Sequence, residues 1–254
     1  MKIATWNVNS LKARLEHVLK WLQEKQPDVL ALQELKMTNE NFPLAAINDA
    51  GYQVVFSGQK TYNGVAILSR EPVSDLVVDL PNYDDPQRRV LGATLNNIRI
   101  LNLYVPNGSS VDSDKYVYKL AWLEKLHDYL QEQLKQYKNL VVLGDFNIAP
   151  EDRDVYAPAV WAGQVLCSEP ERAALQRLMD LGLVDTFRLF HQDQQYSWWD
   201  YRQAAFRRNM GLRIDHILAS QSLVKNCIGA EIDKVPRKWE RPSDHAPVIA
   251  EFKL

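Results

Sequence analysis

The stretch Asn139-Leu-Val-Val-Leu-Gly-Asp-Phe-Asn147 decides the fold of this chain. Leu140 to Leu143 form a short apolar, β-branched run closed by a glycine, the pattern of a strand buried on both faces. Asp145 and Asn147 then stand at the strand's exit. Folding alone has little use for an uncompensated carboxylate and amide at that place.

The same grammar recurs along the chain. Ile3 to Val8 ends in Asn7 and Asn9, Asp28 to Leu32 ends in Gln33-Glu34, and Ile100 to Val105 carries Tyr104 followed by Asn107. Leu212 to Leu218 holds Asp215 inside a strand-like run, and Ser243-Asp244-His245 immediately precedes a strand from Pro247 to Phe252. In open α/β sheets such groups converge on one rim, so the pattern predicts a single cleft built from loops distant in sequence.

Between these strands lie amphipathic helices. Ser10 is placed to cap a helix whose Leu11, Leu15, Val18, Leu19 and Leu22 recur at helical spacing and which ends before Pro27. A second helix is expected over Lys115 to Tyr137 with Leu123, Leu126, Leu130 and Leu134 inward, and a third from Ser168-Glu169-Pro170 to Leu181. Tyr62-Asn63-Gly64 has the residues of a hairpin turn. Hairpins alternating with helices predict a mixed sheet in an α/β fold.

At 254 residues and 46% hydrophobic content, with no linker-like tract, the chain is expected to form one domain over residues 1–254. Nothing approaches the ~20 consecutive apolar residues of a membrane span, and the N-terminus alternates like a strand rather than a leader, so a cytoplasmic protein without membrane contact is expected. Cys167 and Cys227 are isolated, which predicts neither a zinc site nor a disulfide framework. The net charge of −2 hides an uneven distribution. Residues 145–200 carry ten acids against four arginines, whereas residues 202–241 carry nine basic groups against four acids, interleaved with aromatics. The second stretch is a candidate phosphate-tracking surface, with Arg207, Arg208 and Arg237 its foremost members; a solvated basic face is the alternative.

The polar set has a definite chemistry. Acids and amides with hardly a cysteine nearby suit Mg²⁺, or Mn²⁺, rather than zinc, and Glu34 is the first candidate ligand. A metal held by one or two carboxylates keeps positions open for phosphate oxygens. Asp145 would then activate water, with Asn147 aligning it, and Tyr104, Asn7 and Asn107 would supply neutral donors. His245 needs a partner to fix its tautomer, and Asp215 would serve while favouring an imidazolium that contacts a phosphate oxygen. Taken singly, Glu34 could be a surface acid, Asp145 a turn-capping residue and Asp244-His245 the end of a loop. Asp215 is harder to dismiss, because a charge inside a strand core must be paired. His216, by strand alternation, should face away from it. Trp198 and Trp199 should also point to opposite faces, one into the core and one as a wall for a sugar or base.

With these residues in place the chain resembles the exodeoxyribonuclease III type of AP endonuclease, within the endonuclease/exonuclease/phosphatase superfamily. The resemblance spans almost the whole chain. It rests on Lys2-Ile-Ala-Thr-Trp-Asn-Val-Asn-Ser10, Leu32-Gln-Glu-Leu-Lys36, Asn63-Gly-Val-Ala66, Tyr104-Val-Pro-Asn107, Leu143-Gly-Asp-Phe-Asn-Ile148, Gly211-Leu-Arg-Ile-Asp-His216 and Arg241-Pro-Ser-Asp-His-Ala-Pro247. It implies a four-layer α/β sandwich with two central mixed β-sheets flanked by helices. It also implies a Mg²⁺-dependent phosphodiesterase acting on double-stranded DNA with abasic sites or 3′ ends; a monomer is expected because a duplex-sized substrate needs no symmetry partner. The matching positions make Glu34 the principal metal ligand, with Asn9 and Asp244 on the metal side, and Asp145 the group that activates water. Asn147 and Asn7 become its orienting amides, Tyr104 a phosphate-site donor, and Asp215–His245 the phosphate-binding pair. Trp198, Leu212 and Ile214 would line a pocket for an abasic sugar, which flips out cheaply because it has no base to unstack.

One position departs from several relatives, which have a small residue just before the cysteine of the Cys167-Ser168 segment, where this chain has Leu166. Its bulk is expected to tilt activity from internal abasic-site incision toward 3′-terminal exonuclease or 3′-phosphatase work. A phosphatase or lipid phosphodiesterase of the same superfamily would lack the Trp198-to-Ile214 pocket and the basic stretch. A noncatalytic, regulatory nucleic-acid-binding relative would be expected to have lost Glu34, Asp145 or His245.

Overall fold

The structure, a computed structural model, describes residues 1–254. The apolar runs become strands, and Val29–Gln33, Val65–Ser69 and Leu140–Asp145 are buried at every position, as strands covered on both faces must be. They assemble into two six-stranded sheets. The first runs, edge to edge, Cys227–Ile232, Val248–Phe252, Lys2–Asn7, Val29–Gln33, Val65–Ser69 and Gln53–Ser57. The second runs Ser74–Val78, Val90–Leu95, Ile98–Tyr104, Leu140–Asp145, Asp215–Ser220 and Leu183–Asp185. Each sheet contains a parallel pair, Lys2–Asn7 with Val29–Gln33 and Ile98–Tyr104 with Leu140–Asp145, among antiparallel neighbours.

The two sheets pack face to face through side chains such as Ile3, Val29 and Ile67 from the first and Ile100, Val141 and Ile217 from the second. Helix Leu11–Lys25 covers the outer face of the first sheet with Val18, Trp21 and Leu22. Helices Asp114–Gln136 and Glu169–Asp180 cover the outer face of the second with Trp122, Leu126, Leu130 and Leu175. The result is the expected four-layer sandwich of helices, sheet, sheet and helices. No helix is long and apolar enough to cross a membrane.

Local expectations hold with two exceptions, the first being the run Leu212 to Leu218, which divides into strands Gly211–Leu212 and Asp215–Ser220, so that Asp215 opens a strand rather than lying inside one. Ser113 caps the long helix by accepting from the Tyr116 amide, and Ser168 and Glu171 form a reciprocal capping box on the third. The strands flanking Tyr62-Asn63-Gly64 do pair as a hairpin, joined through residues 58–64. Ser10, in contrast, precedes its helix without capping it through the side chain; its φ is +88°. The chain leaving strand Val29–Gln33 passes alongside, so Ser10 N–H donates to the Glu34 carbonyl at 2.8 Å and Leu11 N–H to the Leu35 carbonyl at 3.1 Å. These carbonyls satisfy the N–H groups of Ser10 and of the first helical residue, while the later N–H groups that a capping serine would serve receive nothing from its side chain.

Two features fix the strand ends on which the cleft depends. At Gly144, φ is +141° and any Cβ would stand 1.9 Å from the Leu103 carbonyl oxygen, so only glycine lets Leu140–Asp145 lie this close to its parallel neighbour. Between the sheets, Gln33 Nε2 donates to Asn102 Oδ1 at 2.7 Å, and Asn102 Nδ2 donates to the Leu32 and Ala66 carbonyls at 2.9 and 2.8 Å. Both side chains are buried, which makes this polar tie specific to a single alignment of the two sheets.

Candidate active site

Six strand ends deliver their polar groups to one rim of the sandwich, in a cleft of about 330 Å³. Asn7, Glu34 and His245 come from the first sheet's side, and Tyr104, Asp145 and Asn147 from the second's; Asn9, Asn107, Trp198, Ile214 and Asp244 complete the walls with Lys36 and Leu166. Asn9, Glu34, Lys36, Asn147 and Leu166 all adopt positive φ, so the backbone is strained where it lines this cleft.

Asp145 is the centre of the array. Asn7 Nδ2 donates to Oδ2 at 2.9 Å, the Asn147 backbone N–H to Oδ1 at 2.9 Å, and Asn147 Nδ2 to Oδ2 at 3.2 Å. Asn107 Nδ2 in turn donates to Asn147 Oδ1 at 3.0 Å. Burial pushes the Asp145 carboxyl up, against the opposing charge of His245, to about 7. A carboxyl held in that range is matched to proton transfer near neutral pH.

His245 faces Asp145 across 3.8 Å through Nε2, while Nδ1 bonds Asp215 Oδ2 at 2.9 Å. Burial alone would lower this imidazole, but the Asp215 and Asp145 carboxylates outweigh it and hold His245 up at about 10, charged at neutral pH. Asp215 is itself pinned, because Ser197 Oγ donates to it at 2.6 Å and accepts from the Ile214 and Asp215 amides. His216 points the other way: Arg213 donates to its Nδ1, and its Nε2–H therefore donates to the Ile148 carbonyl at 2.9 Å.

Asp145, Asp215 and His245 can bring their donor atoms within 4.8 Å of one another, the spacing of a metal nest. Asp215 and His245 already satisfy each other, which leaves a proton-handling and charge-stabilising array rather than a ligand set. The opposite wall is better suited to a metal. Its donors, Glu34, Asn9 and Asp244, are all oxygens, the choice of a hard divalent cation. An ammonium already rests there, with Lys36 Nζ 3.1 Å from Glu34 Oε1 and 2.6 Å from Asn9 Oδ1, so the wall attracts positive charge. Asp244 accepts from Asn9 Nδ2 at 2.9 Å and from Trp198 Nε1 at 3.0 Å, and its pKa is lowered: burial opposes this, but His245 and these bonds prevail. Tyr104 moves the other way, raised by burial and by the Glu34 and Asp145 carboxylates, and stays a neutral donor.

Trp198 and Ile214 line the cleft, Trp199 is wholly buried behind them, and Leu212 lies beneath the wall, packed with Val155 and Ile214 and without exposure of its own. Leu166 lines the cleft at φ +76°. Arg207 and Arg208 are exposed but do not line the cleft. Two other basic groups expected on the surface are inside. Arg237 is buried, donates to the Ser243 carbonyl and lies over Phe206, its centre 4.8 Å from the ring. Arg213 is buried between Asp154 and Asp185. The basic surface is therefore smaller than the count over residues 202–241 suggested. Lys36 and Ser197, in contrast, were missed. Lys36 closes the motif Leu32-Gln-Glu-Leu-Lys36 with nothing in that motif to give it a role, and nothing in the local sequence marks Ser197 as a partner of Asp215.

The comparisons with known proteins agree with this geometry. Residues 4–245 match the model of the endonuclease/exonuclease/phosphatase family. The chain is 37% identical to exodeoxyribonuclease III of Haemophilus influenzae over the full length of both. Among solved structures it is similar to a 3′-5′ exonuclease from Neisseria meningitidis, with a TM-score of 0.99 at 48% identity, and to an AP endonuclease from Archaeoglobus fulgidus, with a TM-score of 0.96 at 42% identity, each covering all of both chains. An imidazole hydrogen-bonded to Asp215 and facing Asp145 on the rim of a four-layer sandwich thus has the sequence kinship to go with it, and the chain belongs to the endonuclease/exonuclease/phosphatase family.

Proposed function

We propose that the protein is a metal-dependent DNA repair nuclease of the exonuclease III type, hydrolysing phosphodiesters of duplex DNA at abasic sites, from 3′ ends, or both. The observation that carries this reading is Asp145, held by two asparagines and facing a charged His245 that Asp215 pins from behind. In it, Asp145 takes a proton from the attacking water while Asn7 and Asn147 keep its oxygens in line. His245 presents Nε2–H to a phosphate oxygen, and Tyr104 adds a neutral donor where charge develops during attack at phosphorus. Mg²⁺, with Mn²⁺ as a substitute, would be held by Glu34 with Asn9 and Asp244 and would supply neutralisation of phosphate charge. Trp198 and Ile214, backed by Leu212, form the wall against which an extruded abasic sugar would rest. The enzyme acts as a monomer in the cytoplasm, with Arg207 and Arg208 reaching the DNA backbone beyond the cleft.

Leu166 bears on substrate preference, because its side chain occupies one wall of the same cleft. Its bulk favours terminal 3′ work over internal incision. A 5′-labelled duplex with one internal abasic site and a recessed undamaged 3′ end, incubated with Mg²⁺ and then with chelator, tests the whole reading. Metal-dependent product at the abasic position or at the 3′ end is expected, and the ratio of the two reports the preference. No cleavage of either kind would overturn the enzymatic reading in favour of a noncatalytic DNA-binding relative.

A further inference from the structure

Behind the cleft, helices Asp114–Gln136 and Glu169–Asp180 bury a complete ion pair, Lys119 with Glu171, neither side chain showing any exposure. Two charges in such a place destabilise a fold unless further hydrogen bonds complete their shells. Here the completing partners are all backbone groups or side chains of loops that line the cleft. Lys119 Nζ donates to the Asn147 carbonyl at 2.7 Å and to the Asn107 carbonyl at 3.1 Å. Glu171 Oε1 accepts from the Leu166 N–H at 3.0 Å, and Oε2 accepts from the Ser168 N–H at 3.2 Å and from the Ser168 hydroxyl. One ion pair therefore ties three loops that are far apart in sequence.

We propose that Lys119 and Glu171 are positioning residues for the reaction, holding the Asn107–Asn147 amides in the geometry that orients Asp145 and fixing the backbone of Leu166. Neither touches the cleft. Their effect passes through Asn147, whose carbonyl is held by Lys119 while its N–H and amide hold Asp145. The proposal rests on the assignment of Asp145 and Asn147 as the water-activating pair. A self-contained structural ion pair would need no such choice of partners, and its replacement by apolar side chains of similar volume is often neutral or stabilising.

That replacement is the test. In Lys119→Met/Glu171→Met, measured with Mg²⁺ beside the wild type on a duplex offering both an internal abasic site and a recessed 3′ end, kcat for the product that the wild type forms is expected to fall by about tenfold or more while the DNA Kd stays within about twofold, as displacement of a catalytic group without loss of binding requires. A folded double variant with wild-type kcat would overturn the proposal. Should the double variant fail to fold, Glu171→Gln, which keeps the shape and one acceptor, provides the same comparison, and unchanged kcat there is equally fatal to it. Asn147→Ala separates the two ideas: full turnover in this variant means the assignment of the Asp145–Asn147 pair has failed, whereas impaired Asn147→Ala beside a fully active double variant removes the positioning role alone.

Discussion

One imidazole stands between two buried carboxylates: His245 Nδ1 lies 2.9 Å from Asp215 Oδ2, and its Nε2 lies 3.8 Å from Asp145 Oδ2. The two acids outweigh burial and keep the ring charged at neutral pH. Removing the ring, as His245→Ala, should lower kcat by roughly two to three orders of magnitude, the effect of losing one preorganised stabiliser of transition-state charge. Asp215→Asn should lower it less, because the ring stays but loses its charge-favouring partner. DNA affinity measured by fluorescence anisotropy should be little changed in both, and a parallel loss of affinity would assign the pair to structure instead.

Asp145→Asn separates activity from stability. Burial is the largest influence on this carboxyl and opposes its charge, so its folded pKa lies above the ordinary value of 3.8, at about 7. Such a group favours the fold when protonated and loses that advantage as pH rises from the ordinary value through the folded one. The neutral amide should therefore leave Tm at pH 8 unchanged or raised while kcat drops by roughly two to three orders of magnitude. A marked fall in Tm would contradict the account.

The pH profile of kcat has a predictable shape. Asp145 must be ionised to accept a proton, so turnover should fall as pH drops through its folded pKa, and a cation beside Glu34 should move this limb below the metal-free value of about 7 but leave it above 3.8. On the alkaline side turnover should persist until His245 deprotonates, above the ordinary imidazole value of 6.5 but, with the cation bound, below the metal-free value of about 10. A profile flat down to pH 4 would exclude Asp145 as the base.

Leu166→Gly should shift substrate preference without damaging the backbone. The residue sits at φ +76°, a conformation natural for glycine and unfavourable by about 1–2 kcal/mol for a residue with a Cβ, which offsets part of the lost burial. Abasic-site incision should rise relative to 3′-end trimming on a duplex that offers both. An unchanged ratio would show that the Leu166 side chain does not set the preference.

Metal dependence should map to Glu34. Chelator should abolish cleavage, and Glu34→Gln should raise the Mg²⁺ concentration needed for half-maximal turnover while leaving DNA affinity in chelator unaltered. If the variant matches the wild type across a Mg²⁺ titration, the ligand lies elsewhere.

The groups legible in the sequence were those that interrupt an apolar run. Asn7, Asp145 and Asp215 each break a strand pattern, and a buried polar group in such a run must find a partner. What escaped notice depends on contacts between distant segments. Ser197 meets Asp215 only because strand Trp198–Trp199 folds back along Gly211–Leu212, and Lys119 looks like one more lysine on an amphipathic helix until Glu171 and two carbonyls enclose it. Arg213 and Arg237 were counted toward the surface because charge summed along the chain is blind to Asp154, Asp185 and the aromatic shelf that take them inside. Ser10 also depends on a distant contact, since the segment beyond strand Val29–Gln33 binds its backbone N–H and its φ of +88° departs from the extended conformation of a capping serine.

The division of the cleft between the two sheets has a mechanical meaning. Glu34 follows Gln33 on one layer, Tyr104 stands two residues beyond Asn102 on the other, and the buried Gln33–Asn102 bond is the rivet between them. A slip of the layers by even one hydrogen-bond length would part Asp145 from His245 while leaving every strand intact, so hydrolysis in this molecule reports on shear between its two halves more sensitively than any measure of its secondary structure.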